Sequence, residues 1–597
     1  MPGMSTLIKT LPDILVHLER EVQRPDLLKV KSEGAFRPIP TSEVSRRVRG
    51  LSLGLAELGL GPGVKVALLS ENRPEWIIAD LAVLAGGGVT VPIYVQLPPV
   101  QIEHLLDDSE SEIILCSTPE LWLKVEAVRS RLPRLARAVL FEGAAPGLLT
   151  LDEVTLRGEA LGRADPDRFG RAVRAVRPGD PASIIYTSGT TGVPKGVVLS
   201  HGNLIANIRA TDSVIHYDEK DMTLSFLPLA HVLERMTTYA VLCKGAAVAY
   251  GGGVETVAAD LLEARPTALV AVPRLFEKMY ARIMDQVIAG SALKRRIFYL
   301  AISAGRRRAR RVVAGEKVPR LLALKCRLAR RLIFSRILAR TGGRIRFFIC
   351  GGAPLSEDIA EFFYAIGLII CPGYGLTETS PILTGNTLTV YRFGTAGRPL
   401  PGVELRIAED GEILARGPNI MLGYYKKEKE TREVLADGWL HTGDIGHFDR
   451  DGFLVVTDRK KDLIVTSGGK NVAPQPIEVR LMGSPYIRTA VVVGNNRKFV
   501  SALIVPEFEK LASAAREWGM GAPSPAELVA RQDVADFMLA EVQRATPELA
   551  SYERIKKIIL LERDFDLASE EITPTLKVRR TFVERKFKER IDALYAD

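Results

Sequence analysis

Cysteine is scarce in this chain of 597 residues, with five scattered at Cys116, Cys243, Cys326, Cys350 and Cys371. No C-x-x-C pair occurs, which argues against a zinc site or a disulfide framework and fits a reducing cytosol. The seven histidines include no H-x-x-x-H pair. No apolar run reaches the ~18 residues of a membrane-spanning helix. The opening stretch, MPGMSTLIKTLPDILVHLEREVQ, interrupts its apolar residues with charges and a proline, unlike a signal peptide. Repeats and low-complexity tracts are absent as well. The Walker string G-x-x-x-x-G-K-[ST] is missing, which excludes the phosphate loop of kinases and motor ATPases.

What is there is ordinary in bulk and uneven in detail. The length implies two to four domains. Hydrophobic residues at 47% and charged residues at 25% describe a typical globular chain. The net charge of +10 is concentrated: residues 286–340 hold sixteen Lys/Arg against one acid, Glu316. Nucleic-acid binding would want interleaved aromatics, and this segment has only Phe298, Tyr299 and Phe334. Its apolar residues Ile297, Leu300, Leu321, Leu324, Leu328 and Leu332 recur at helical spacing. Such a helix fits an anionic membrane surface, or equally a solvated face packed on the body.

The first 180 residues alternate helical and strand patterns. Residues 42–58 read as an amphipathic helix capped by Thr41 or Ser42, and 76–86 and 100–107 as further helices. Strands are expected at 64–69, 88–93 and 112–116, then at 224–227, 246–250, 268–272, 346–350 and 368–371. This alternation argues a largely parallel sheet covered on both faces. From about 403 the pattern becomes hairpins turning at Asp410-Gly411 and Asp451-Gly452. The D-x-D-G string at 449–452 is a turn, since the EF-hand pattern fails beyond it. The polar run 458–462 marks a boundary, and 462–597 suffices for a small α+β domain.

The most informative string is YTSGTTGVPKG, 186–196. Thr187, Ser188, Thr190 and Thr191 supply hydroxyls, Gly189, Gly192 and Gly196 supply sharp turns, and Lys195 supplies charge. Successive amides in such turns form a nest for an anion. The flanks, 182–185 and 197–199, read as strands, with a helix starting after Ser200. The loop is read as a grip on the phosphates of ATP.

Five further strings follow in order: GGAPLS (351–356), GYGLTETSP (373–381), GWLHTGD (438–444), DRKKDLIVTSGGKNVAPQPIE (458–478) and TPTLKVRR (573–580). Together with the loop they resemble the adenylate-forming enzymes, from about Ser42 to the C-terminus. FLPLAHVLER (226–235) and the basic insertion resemble the long-chain fatty acyl-CoA synthetases within that family. The resemblance implies an α/β protein. A large N-terminal region (1–457) of stacked mixed sheets covered by helices, with a β-subdomain, would be followed by a hinge (458–461). A small mobile α+β domain (462–597) would close the chain. It also implies ATP, Mg²⁺ and coenzyme A.

The site residues follow from that resemblance. Thr187, Ser188, Gly189, Thr190, Thr191, Gly192 and Lys195 would hold phosphates. Gly352 and Ala353 would line the adenine pocket, with Tyr374 and Gly375 on the nucleotide. Thr377 would donate to the α-phosphate, and Glu378 would take Mg²⁺, which favours one or two carboxylates plus phosphate oxygens. Asp444 would accept the ribose hydroxyls and Arg459 would contact the same nucleotide. Lys577 would bridge carboxylate and α-phosphate, in a string where Leu576 replaces the family's commoner glycine. Lys461 would be the hinge residue, while Gly468 and Gly469 would make room for the pantetheine thiol after rotation. His231 would orient the carboxylate or serve as a structural histidine; Glu234 and Arg235 would be structural partners without a chemical role.

The expected reaction is activation of a long-chain fatty acid to acyl-AMP and transfer to coenzyme A. Three rivals stay open: an acyl-AMP ligase loading a carrier protein, an enzyme for another acid, and an inactive membrane-associated scaffold. The intact Lys195, Glu378, Asp444 and Lys577 argue against the scaffold. A cytosolic protein with peripheral contact at the inner membrane face, and no nucleic-acid partner, is expected; oligomeric state and chain-length preference are not legible.

Overall fold

A computed structural model describes residues 7–596 except 188–192, 254, 520, 522, 567–568 and 574–576. Among the described residues, an eight-stranded and a nine-stranded sheet form the N-terminal region. In the eight-stranded sheet, Val89–Ile93, Lys65–Leu69, Ile113–Cys116, Arg137–Leu140 and Leu149–Thr150 run parallel, and Pro181–Thr187 joins them. Lys195–Ser200 and Gly423–Tyr424 close one edge antiparallel. The expectation of a largely parallel sheet thus holds for its centre.

Strand alternation explains why these runs are apolar throughout. Val66, Leu68, Ile113 and Leu115 enter the core shared with the nine-stranded sheet, while Ala67, Leu69, Ile114 and Cys116 enter a second core on the opposite face. With both faces buried, every position must be apolar. The helix expected from residue 42 runs Thr41–Glu57, preceded by Pro40. Neither Thr41 nor Ser42 caps it: Thr41 opens the helix, and its hydroxyl bonds with the Arg24 backbone instead. This helix crosses Leu151–Ala164 with backbones in contact, where a Cβ on Gly54 would sit 2.0 Å from the Val154 carbonyl oxygen.

In the nine-stranded sheet, Met222–Ser225, Ala247–Tyr250, Ala268–Ala271, Phe347–Cys350 and Ile369–Gly375 are parallel. Their carboxyl ends point the chain toward the candidate site, as open α/β sheets generally do. A smaller sheet carries both expected hairpins, Glu404–Ile407 with Glu412–Arg416 and Trp439–Phe448 with Leu454–Arg459. At 449–452 the Asp449 carboxylate accepts amides of Asp451 and Phe453, each at 2.9 Å, so the string is a turn.

The C-terminal domain has its own core. Ile487–Val493, Ser501–Pro506 and Ile558–Leu560 form a sheet whose alternate residues face two helical layers. Val492, Ala502 and Ile504 point to one layer, and Val491, Val493, Leu503 and Val505 to the other.

The basic segment is helical, Ala292–Val313 and Arg320–Ala329 being its longest parts. Phe298, Ile302, Gly305 and Ala309 pack against the body, where a Cβ on Gly305 would meet the Ala365 carbonyl oxygen at 2.8 Å. The leucines of the other face are bare: Leu300 is 65% exposed, Leu321 65% and Leu332 70%. Among the described residues no helix is long and apolar enough to cross a membrane.

Candidate active site

The phosphate-loop candidate is framed by an antiparallel pair. Pro181–Thr187 runs against Lys195–Ser200 with Thr187 opposite Lys195, so both residues stand at the rims of the connecting loop. The helix His201–Asp212 follows, capped by Ser200 as a capping box with Asn203. Ser188, Gly189, Thr190, Thr191 and Gly192 lie outside the described residues. Gly196 must lack a Cβ, which would sit 2.7 Å from Ile184 Cγ2 and 3.2 Å from the ring of Tyr186.

The opposite wall comes from the nine-stranded sheet. Gly352, in the left-handed region at φ +85°, and Ala353 follow the strand Phe347–Cys350 and are exposed. Tyr374 and Gly375 end the strand Ile369–Gly375, and Thr377 and Glu378 lie in the 3₁₀ turn beyond it. Gly375 is forced: its Cβ would lie 1.7 Å from the Pro381 carbonyl oxygen. Thr379 is fully buried and fixes this turn, accepting from the Leu376 amide at 2.9 Å and donating to the Pro381 oxygen at 2.6 Å.

Asp444 and Arg459 meet by register. They are partners across the pair Trp439–Phe448 and Leu454–Arg459, with Arg459 Nε 3.2 Å from Asp444 Oδ1. The Tyr374 hydroxyl donates to Asp444 Oδ2 at 2.8 Å, so its ring is fixed by the carboxylate. Burial raises the Asp444 carboxyl above its ordinary range although Arg459, Tyr374 and Lys577 oppose it. Burial likewise holds Tyr374 protonated.

Lys577 arrives from the C-terminal domain. Its loop is closed by a bridge between Ile572 and Val578 and by Thr573, whose amide donates to the Lys577 oxygen at 2.8 Å and whose hydroxyl accepts the Lys577 amide at 3.1 Å. Leu576 lies outside the described residues. Lys577 is exposed, yet surrounding protein and then Arg459 push its pKa down to about 8, against the pull of Asp444 and Glu378. Lys461, exposed at the strand end, is lowered to about 8 by burial and Arg459. Glu378, Asp444, Arg459, Lys461 and Lys577 therefore share one electrostatic neighbourhood, which Asp462 also enters through Arg459 and Lys461.

His231 caps the helix Val232–Cys243, its Nδ1 accepting the Leu233 amide at 3.2 Å. That places the ring proton on Nε2. Burial and then Lys577 lower its pKa to about 4, so the ring is neutral at physiological pH. Arg235 is structural, as expected, but its partner is Asp80: Nε and Nη2 each donate to that carboxylate at 2.7 Å, and Nη1 donates to Ser183 at 2.7 Å. Glu234 is not its partner; burial raises this carboxyl to about 8. Gly468 and Gly469 sit in an exposed turn between Ile464–Val465 and Asn471–Val472.

Sequence reading missed Tyr424, and gave Lys460 no role beyond its place in the hinge segment. Tyr424 donates its hydroxyl to Glu378 Oε1 at 2.9 Å and carries Lys195 Nζ 5.1 Å from its ring centre. Lys460 pairs with Asp410 at 2.6 Å and Glu412 at 3.0 Å, tying the start of the interdomain link to the β-subdomain. In GYYKK and DRKK these residues look like an ordinary strand end and a charged linker. The donor set suits magnesium, which takes one or two carboxylates with phosphate oxygens: Glu378 has Oε1 engaged by a neutral hydroxyl.

This layout gathers charged side chains from the large sheet-built body and Lys577 from the small C-terminal domain into one cluster. The chain belongs to the AMP-binding enzyme family, whose model matches residues 21–425, and the AMP-binding enzyme C-terminal domain matches 461–597. It is 36% identical over 589 residues to the long-chain-fatty-acid--CoA ligase FadD15 of Mycobacterium tuberculosis, covering 97% of this chain and 96% of that one. It is 32% identical to the long-chain-fatty-acid--CoA ligase 6 of Mus musculus, with 95% and 83% covered. The fold resembles that of the anthranilate CoA ligase AuaEII in complex with anthranoyl-AMP, at a TM-score of 0.75, 21% identity and 99% coverage of both chains.

Proposed function

We propose that this protein is a long-chain fatty acid–CoA ligase. The fatty carboxylate oxygen attacks the α-phosphorus of ATP, pyrophosphate leaves, and an acyl-adenylate forms. The thiol of coenzyme A then attacks the acyl carbonyl, AMP leaves, and the thiol proton passes to solvent. The observation that carries this reading is the position of Lys577: a residue near the C-terminus shares the electrostatic neighbourhood of Glu378 and Asp444.

Lys577 offsets the repulsion between carboxylate and α-phosphate as they meet, and preorganised charge of this kind is the main lever in phosphoryl-type transfer. Lys195, Thr187 and the 188–192 loop steady the departing pyrophosphate. Thr377 donates to the α-phosphate, and His231 presents Nε2–H toward the acyl carboxylate. Asp444 and Arg459 hold ribose and nucleotide, Gly352 and Ala353 border adenine, and Tyr374 and Gly375 complete that wall. Glu378 holds Mg²⁺, which neutralises phosphate charge when bound.

Residues 458–461 act as the hinge, with Lys461 absorbing the rotation that brings Gly468 and Gly469 to the nucleotide for thioester formation. The basic helices contact an anionic membrane from the cytosolic side, where long-chain acids partition. The exposed ridge of Leu300, Leu321 and Leu332 among arginines supports that reading. A matrix of pyrophosphate release against acids from acetate to long saturated chains, each with and without coenzyme A, tests the assignment. Release with long chains and thioester only with coenzyme A is expected. Release with short or aromatic acids alone, or failure to form the thioester, overturns it.

A further inference from the structure

Glu378 and Lys195 belong to different sheets. Glu378 follows the last long strand of the nine-stranded sheet, and Lys195 opens the strand Lys195–Ser200 of the eight-stranded one. Their separation is therefore not fixed by either sheet alone. One side chain touches both. Tyr424 lies opposite Val197 in the antiparallel pair, and in a pleated strand Lys195 shares the face of Val197, diagonal to Tyr424. The ring thus lies under Lys195 Nζ at 5.1 Å, while the hydroxyl at its far end reaches Glu378 Oε1 at 2.9 Å.

The tyrosine is itself held firmly. Leu422 N donates to the Val198 oxygen at 2.9 Å, Tyr425 N to the Gly196 oxygen at 2.7 Å, and Tyr424 N to Thr431 Oγ1 at 2.9 Å. Gly423 adopts φ +146°, and a Cβ there would meet Thr431 Cγ2 at 2.7 Å. The same segment holds the backbone of Glu378, whose oxygen accepts the Met421 amide at 2.9 Å. Among the described residues Tyr424 makes the only side-chain hydrogen bond to the Glu378 carboxylate, and it leaves Oε2 for a cation.

We propose that Tyr424 is a positioning residue that braces the metal-facing carboxylate of Glu378 against the phosphate-side cation Lys195, setting their spacing across the two sheets. The inference rests on the reading of Glu378 as the Mg²⁺ ligand. Groups that orient a metal ligand from behind commonly change metal affinity about 10–100-fold when removed.

The test measures binding of α,β-methylene-ATP to the full-length protein by calorimetry as Mg²⁺ is titrated, with melting temperature as the folding control. Tyr424→Phe is expected to raise the Mg²⁺ concentration for half-maximal effect on the order of 10-fold. The metal-free affinity should stay unchanged, because the ring under Lys195 is kept. Glu378→Gln should show a similar rise, and the double variant no more than the larger single effect. Tyr424→Leu, which also removes the ring, should weaken metal-free binding as well. If Tyr424→Phe folds poorly, 3-fluorotyrosine at 424 preserves shape and strengthens the donor, and the half-saturating Mg²⁺ should still move. An unchanged Mg²⁺ requirement in Tyr424→Phe (or in the fluorinated protein) with a clear shift in Glu378→Gln overturns the role of Tyr424. No shift in either overturns the metal assignment of Glu378 and the proposal with it.

Discussion

Asp444 and Arg459 face each other across the last strand pair before the C-terminal domain, with Arg459 Nε 3.2 Å from Asp444 Oδ1 and the Tyr374 hydroxyl on Oδ2. A carboxylate held from two sides offers its remaining lone pairs in fixed directions. Charge-assisted hydrogen bonds of this kind are worth about 1.5–3 kcal/mol each. Asp444→Asn should therefore raise KM for ATP by roughly 10–100-fold with a smaller change in kcat. Steady-state pyrophosphate release reads both constants, and an unchanged KM would remove Asp444 from the nucleotide site.

Lys577→Ala should cut acyl-adenylate formation by on the order of 10²–10³-fold, the usual loss when one preorganised charge partner is removed. Supplied acyl-adenylate plus coenzyme A should still give thioester, as the proposed domain rotation requires. The wild-type lysine is charged below about 8 and neutral above it. Hence kcat/KM for pyrophosphate release should fall as pH rises through about 8, while bound nucleotide, being negative, should move the kcat limb higher. His231, lowered to about 4, should contribute no limb near neutrality. Lys461 titrates in the same range, so the limb must persist in Lys461→Ala if Lys577 causes it.

Gly375→Ala should be severe. The new Cβ would lie 1.7 Å from the Pro381 carbonyl oxygen, which is backbone and cannot rotate away. A loss of at least ~2 kcal/mol in denaturant unfolding is expected, within the range of strongly destabilising point changes. Adenylation should fall further than stability, because Glu378 follows directly in the displaced turn. A neutral outcome in both assays would show that the strand end is free to move.

Replacing Leu300, Leu321 and Leu332 together with serine should leave folding intact, because all three are largely exposed. Sedimentation with vesicles containing anionic lipid should drop, and wild-type binding should weaken as salt rises. Equal binding of wild type to neutral vesicles would overturn the membrane reading, and salt-sensitive self-association without vesicles would point instead to a second copy of the chain.

Among the described residues, polar contacts join the two domains, including the Gln475 amide donating to Asp458 Oδ2 at 2.9 Å. Arg274 Nη1 donates to the Arg488 oxygen at 2.9 Å and Nη2 lies 3.9 Å from Asp564, while Lys510 pairs with Asp285 and Gln101 Nε2 donates to Glu570 at 3.3 Å. Exposed pairs of this kind contribute about 0–1 kcal/mol. Arg274→Ala should thus lower adenylation only severalfold, without slowing thioester formation from supplied adenylate. Equal losses in the two half-reactions would mean that Arg274 serves stability rather than orientation.

The strands and hairpins were largely legible because their signals are local. Buried alternation forces apolar runs such as 113–116, and Asp-Gly turns mark 410–411 and 451–452. Helix 41–57 was found, but its start was misjudged: Thr41 has a capping side chain, and only the fold directs that hydroxyl to Arg24. The partner of Arg235 was misjudged as its neighbour Glu234. Asp80 lies 155 positions away, and burial of the guanidinium demanded a carboxylate without naming which.

By itself the sequence determined the chemistry on offer: the glycine-rich loop, Glu378, Asp444 and Lys577, in strings whose order resembles one family. Tertiary structure decided which of these groups act together. Strand register opposed Asp444 to Arg459, sheet pairing laid Tyr424 between Lys195 and Glu378, and domain docking brought Lys577 near Arg459, Asp444 and Glu378. It also divided the basic insertion into a packed face and a bare one. Residue type and spacing are local properties of a chain. Distances between groups on separate sheets and domains depend on how those layers pack, and no single stretch of sequence encodes that.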